Sequence, residues 1–160
     1  MSPRQIVLAA LAAAVTLTSV ASAGVAATKQ RVSITSKGMG SPAGQFVFTP
    51  LEAGPGRSAL KRDSGTETSV HTRRVAIREG LRVEIENAVI TSRGKLGSFV
   101  IRHRVEWVGV AKGYTVGTGT WKFVRGTGQY ARIRGHGRSG WILVDTGRWH
   151  GRMGGLLTLP

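Results

Sequence analysis

The chain has 160 residues, no cysteine, and 23 Lys and Arg against 8 Asp and Glu, for a formal charge of +15. That length leaves room for one domain, and the lack of cysteine excludes disulfides, a lipidated cysteine and thiolate zinc sites. The fold must therefore be held by burial alone, and its surface is drawn to anions.

Met1 to Ala23 has the pattern of a secretory signal: Arg4, an apolar run from Ile6 to Val20, and Ala21-Ser22-Ala23 as the small-residue cleavage site. The run is shorter than the ~20 apolar residues a spanning helix needs. Cleavage after Ala23 leaves one secreted, extracellular domain, 24–160, with no transmembrane segment. It keeps 22 bases against 8 acids, a formal charge of +14. A domain of this size can bury about two thirds of its unfolded surface.

Past a short leader, Arg31 to Thr35 is the first predicted strand and Lys37 to Gly44 a Gly/Ser/Pro loop. Gln45 to Thr49 is the second strand, with Phe46 and Phe48 on one face and Pro50 as its stop. Glu52 to Gly56 and Asp63-Ser64-Gly65 read as turns, and Thr66 to Arg78 as extended structure up to a turn at Gly80.

Leu81 to Ser92 alternates Leu81, Val83, Ile85, Asn87, Val89 and Thr91 with Arg82, Glu84 and Glu86. Phe99 to Val110 alternates Phe99, Ile101, His103, Val105 and Trp107 with Arg102, Arg104 and Glu106. Gly94-Lys95-Leu96 is a hairpin loop between them. If Arg93 faces Gly97, then Ile85 faces Val105, Val83 faces Trp107 and Val89 faces Ile101, with Glu86 against Arg104 and Glu84 against Glu106 outside. The same register sets Asn87 against His103 on the inward face. Two readings are open for that pair: mutually bonded polar groups in a packed interior, or a polar anchor for a guest.

Tyr114 to Val124 follows, thinned by Gly117 and Gly119, with Trp121 and Phe123 on one face. After a turn at Gly126 to Gly128, Ile133 to Val144 is the next strand. Arg148 to Met153 then puts Trp149 and Met153 inward and Arg148, His150 and Arg152 outward. Leu156 to Leu159 is a short last strand placed to close on an early one. No segment after the leader shows helical spacing, so the fold class is all-β, a single antiparallel barrel.

Three motifs invite chemistry and lose it in context. Gly126 to Ala131 fits G-x-G-x-x-A, but the glycines of Arg132 to Gly140 deny it the helix that a dinucleotide site needs. Asp63-Ser64-Gly65 and Asp145-Thr146-Gly147 match the aspartic-protease triplet, yet the first follows Lys61-Arg62 and the chain is too short for two lobes; both read as hairpin turns. The four histidines have no metal spacing, and no G-x-S-x-G elbow occurs. No cofactor, metal or catalytic residue is expected.

Trp121 to Gly137 resembles the allene oxide cyclase barrel-like group, which includes plant dirigent proteins and small secreted bacterial proteins. The shared pattern is an aromatic strand, then Gly126, Thr127, Gly128 and Tyr130, then Gly135 and Gly137. Asp63-Ser64-Gly65 after Phe46-Val47-Phe48 is similar to the secreted bacterial members. The resemblance implies a calycin-like, eight-stranded antiparallel barrel with a lumen, often in trimers. In the plant relatives, apolar substrates cyclise or couple in that lumen. No inward acid is expected here, which speaks against acid/base chemistry.

Three functions follow as expectations. The first is a binding or interaction module whose lumen holds a small apolar ligand, with Asn87, His103, Trp107 and Tyr114 as its lining. The second is binding of nucleic acid or an anionic envelope polymer through Arg73, Arg78, Arg102, Arg104, Arg148 and Arg152. The third is a cyclase or isomerase acting in the lumen.

Overall fold

The computed structural model describes residues 28–40, 43–52 and 59–160. The signal-like segment 1–23, and the turn residues after Glu52, lie outside the described residues. Eight strands follow one another: β1 Thr28–Met39, β2 Ala43–Pro50, β3 Asp63–Arg78, β4 Leu81–Gly94, β5 Ser98–Ala111, β6 Tyr114–Gly126, β7 Arg134–Val144 and β8 Arg148–Leu159. Each pairs antiparallel with the next, and β8 pairs back onto β1, so the sheet closes into a barrel-like ring. Closure removes the two edges that an open sheet would leave exposed.

Alternation explains which side chains enter the ring. Val32, Ile34, Phe46, Phe48, Phe99, Ile101, Val105, Trp121, Phe123, Met153, Leu157 and Leu159 are buried in one cluster. One end is filled by aromatic rings. Phe99 meets Tyr130 at 4.8 Å and Phe46 at 5.3 Å between ring centroids, and Tyr130 meets Phe48 at 5.1 Å. Tyr130 arrives on a single 3₁₀ turn, Gly128–Tyr130, after which Ala131 is extended. That short turn replaces the helix a dinucleotide fingerprint requires.

Asp63 lies against this aromatic end. It is the first residue of β3, not part of a turn, and it is 5 % exposed. Its Oδ1 accepts from the backbone N–H groups of Ser64 (2.8 Å) and Lys95 (3.0 Å). Its Oδ2 accepts from Leu96 N–H (3.2 Å) and the Tyr130 hydroxyl (3.1 Å). Burial, above all, holds the Tyr130 hydroxyl well above the usual phenol range. Gly94 packs directly on the Asp63 carboxylate, where a Cβ would overlap it. Asp145-Thr146-Gly147, by contrast, is the β7–β8 turn, as the sequence suggests.

The loop that Asp63 holds corrects the expected register. Arg93 faces Ser98, not Gly97, so the β4–β5 loop has four residues, closed by a bond from Gly94 N–H to Gly97 O at 2.9 Å. One residue of slip exchanges the faces of β4. Ile85 therefore faces Glu106 instead of Val105, and Val89 faces Arg102 instead of Ile101. Asn87 faces Arg104 and His103 faces Ala88. Glu84, Glu86, Ala88, Ile90 and Ser92 share the inner face. Asn87 and Val89 are exposed outside, while Val83 and Ile85 are buried outside the central cluster.

Other boundaries are wider than the sequence suggests. β1 runs on through Lys37–Met39, and β8 is continuous from Arg148 to Leu159. The β3–β4 turn is Glu79-Gly80, with φ of 50° and 80° between the facing residues Arg78 and Leu81, the two-residue hairpin geometry that favours glycine second.

Removing the Asp63 acceptors should cost stability out of proportion to the volume lost. Asp63→Ala leaves four donors to find other partners and should destabilise by about 3 kcal/mol or more. Gly94→Ala should destabilise as well, by forcing the carboxylate off its donors. Urea unfolding of both variants checks this; Asp63→Ala within 1 kcal/mol of the wild type, on the order of an ordinary surface change, would contradict it.

Candidate functional site

All four tryptophans turn into the ring, and each faces a glycine on a neighbouring strand: Trp107 faces Gly117, Trp121 faces Gly137, Trp141 faces Gly151 and Trp149 faces Gly38. A Cβ on any of these glycines would collide with the indole beside it. The rings thus lie down over the adjacent backbone instead of reaching across the interior. The consequence is space.

A cavity of about 260 Å³ remains at the end opposite the phenylalanines. Ala88, Ile90, Trp107, Trp141, Leu143 and Trp149 form its apolar wall, and Ser69, His71, Arg73, Glu86 and His103 add polar groups. Trp149 is fixed by donating from Nε1 to Gly40 O at 2.7 Å, and Trp141 packs on it with centroids 5.9 Å apart.

His103 is at the base of this wall, 5 % exposed. Trp141 Nε1–H, which can only donate, reaches His103 Nε2 at 3.2 Å. Nε2 is therefore an acceptor, the ring proton is on Nδ1, and Ser139 Oγ at 2.7 Å donates to the same Nε2. Burial drives the imidazole pKa down to about 4, so the ring is neutral at physiological pH.

Acidic groups occupy the interior, against the expectation that none would. Arg73 is at the cavity mouth and holds both β4 carboxylates, Glu86 Oε2 at 2.8 Å from Nε and Glu84 Oε1 at 3.2 Å from Nη1. Deeper on β3, Glu67 is 4 % exposed and accepts from Ser36 Oγ at 3.0 Å. Burial raises its pKa to about 7, with the Ser36 hydroxyl opposing. Glu67 does not line the cavity. The sequence offered one cue to it, the period-2 polar alternation of β3, but not the side on which that strand faces inward.

Of the predicted lining, the structure brings His103 and Trp107 to the cavity and leaves two residues outside. Asn87 is exposed on the outer face because of the register, and Tyr114, 52 % exposed, begins β6 at the rim. The predicted cationic residues divide similarly. Arg73 is ion-paired at the mouth, and Arg78 bonds Glu106 at 3.2 Å near the β3–β4 tip. Arg148 and Arg152 are on the outer face of β8, where Arg152 Nε donates to Ser33 Oγ at 2.9 Å.

Arg102 and Arg104 join two cross-strand rows on the outside of the ring. One row is Val70, Val89, Arg102, Lys122 and His136; the next is Thr72, Asn87, Arg104, Thr120 and Arg138. All ten side chains are exposed. Among the described residues no helix is long and apolar enough to cross a membrane, and no group of His, Cys, Asp and Glu could hold a metal ion. Comparison with family models, curated proteins and solved structures finds no match to this chain.

The two buried titrating groups act on stability in opposite senses. Glu67 keeps in the fold a proton that the unfolded chain releases, so its stabilising contribution is complete below its ordinary value of 4.5 and lost as pH rises through 7. His103 refuses a proton that the unfolded chain accepts, so its contribution is complete above 6.5 and lost as pH falls through 4. Glu67→Gln removes only the first. The stability of that variant relative to the wild type should rise by about 3 kcal/mol between pH 4.5 and 7 and then level off. Urea midpoints taken across this range read the effect, and a difference that stays flat with pH would contradict the burial of Glu67.

Proposed function

We propose that the protein binds a small, largely apolar molecule inside an allene oxide cyclase-type barrel. The observation that carries this reading is the cavity itself: tryptophans laid flat on glycines keep about 260 Å³ open beside a short row of polar groups. Concave, mostly apolar sites with a few placed polar groups are the usual form of a ligand pocket, with typical volumes of about 300–1,000 Å³. This one is slightly smaller, which suits a single ring or a short chain. Ala88, Ile90, Trp107, Trp141, Leu143 and Trp149 would enclose the ligand body, and His71, Arg73, Glu86 and His103 would orient its polar end.

Binding fits this geometry better than proton transfer. Glu67, whose pKa near 7 would suit a general acid, lies off the cavity wall, and the Nε2 of His103 is already occupied by Ser139 and Trp141. Glu86, which does line the cavity, is held in its ion pair with Arg73.

The test uses p-cresol and cyclohexanol as probes, followed by saturation-transfer NMR and thermal melting. Wild-type protein should show transfer, and saturation to about a hundred times Kd should raise Tm by about 9 °C. Ala88→Leu puts a larger side chain into the space; it should lose both responses while its own Tm is kept or raised. Probe binding unchanged by Ala88→Leu would show that the molecule binds elsewhere. No binding of either probe by the wild type would overturn the reading for single-ring ligands.

A further inference from the structure

We propose that the outer face of β5, β6 and β7 docks a linear polyol-phosphate polymer of the cell envelope, recognised through its phosphates. This inference is independent of the lumen reading.

Arg102 faces Lys122 directly, and Lys122 faces His136; in the adjoining row Arg104 faces Thr120, which faces Arg138. Neighbouring strands are about 4.8 Å apart, so four formal cations are gathered on three adjacent strands. Like charges placed opposite each other on a sheet oppose its stability. Sheet stability is therefore no reason for this arrangement, whereas an anion spanning the strands would relieve it.

Carboxylates do not neutralise the face from within, because neither row contains one. The nearest on β5 is Glu106, which bonds Arg104 at 3.1 Å and also serves Arg78. Arg102, Lys122 and Arg138 make no ion pair among the described residues. Thr72, Asn87 and Thr120 add neutral hydrogen-bonding groups beside the cations.

What the rows lack chooses among polyanions. Single-strand nucleic acid binders stack bases on aromatic side chains within a basic groove. Val70 and Val89 are the apolar members here; the one ring is His136 at the end of its row, and neither row has a Phe, Tyr or Trp on which successive bases could stack. The face thus offers phosphate recognition alone, which fits a polymer carrying phosphodiesters and no bases. A secreted basic protein, as the N-terminal sequence suggests, would meet such a polymer in the envelope.

The experiment measures anisotropy of labelled synthetic poly(glycerol phosphate) with the full chain across a salt series. If four phosphates are engaged, log Kd against log salt should have a slope of about 3, at about 0.7 per contact on a flexible strand. Arg102→Gln combined with Lys122→Gln should weaken binding about tenfold at low salt and reduce the slope by about 1.4. Arg138→Gln, alone in the second row, should reduce the slope by about 0.7, so the result does not rest on one pair. Lys37→Gln combined with Arg148→Gln, on β1 and β8, removes the same formal charge and should leave Kd within about twofold if the site is local. Equal losses from the two double variants would overturn the proposal, since net charge would then explain binding. So would no binding by the wild type, or tighter binding of an oligothymidylate with the same number of phosphates.

Discussion

The buried carboxylate of Asp63 is the constraint on which the rest of the ring depends. It gathers donors from the start of β3, from the loop between β4 and β5, and from the tyrosine that plugs the aromatic end. A carboxylate among several well-aligned donors is stabilised without a cation, and charge-assisted bonds of this kind are the stronger ones in proteins. By holding Lys95 and Leu96 in place, Asp63 favours a four-residue loop. That length decides which face of β4 looks inward.

From that choice follow both the cavity and the sorting of charge. With Ala88 and Ile90 inside, the wall opposite the tryptophans is low. Glycines beneath Trp107, Trp141 and Trp149 let the indoles recline, so the upper interior stays open while the phenylalanines close the lower end. The same register brings Glu84 and Glu86 inside to Arg73 and sends Asn87 and Val89 outside, beside Arg104 and Arg102. A chain with far more bases than acids thus buries Asp63, Glu67 and Glu86 within the ring and leaves much of its exterior basic. Interior and exterior are therefore chemically distinct, the one largely apolar and the other basic.

Much of the architecture was legible because β5, β6 and β8 carry strong one-sided alternation: Phe99 to Trp107, Trp121 with Phe123, and Trp149 with Met153 all face inward as expected. β4 misled because both of its faces are apolar, Val83, Ile85 and Val89 on one and Ala88 and Ile90 on the other. Periodicity then cannot choose, and the loop does. Asp63-Ser64-Gly65 has turn composition, yet its carboxylate is spent as an internal acceptor, a use that depends on backbone groups some 30 residues away. The cation rows could not be read along the chain at all, since Arg102, Lys122 and Arg138 become neighbours only through strand pairing.

The most direct test of this account is thiol accessibility along β4, in a chain that has no cysteine of its own. Single variants Asn87→Cys, Ala88→Cys, Val89→Cys and Ile90→Cys would be treated with a bulky maleimide under native conditions. Labelling should be rapid at positions 87 and 89, with 88 and 90 protected. The opposite pattern would mean that the β4–β5 loop has the other parity, with Asn87 inside and Ala88 and Ile90 lost from the cavity wall.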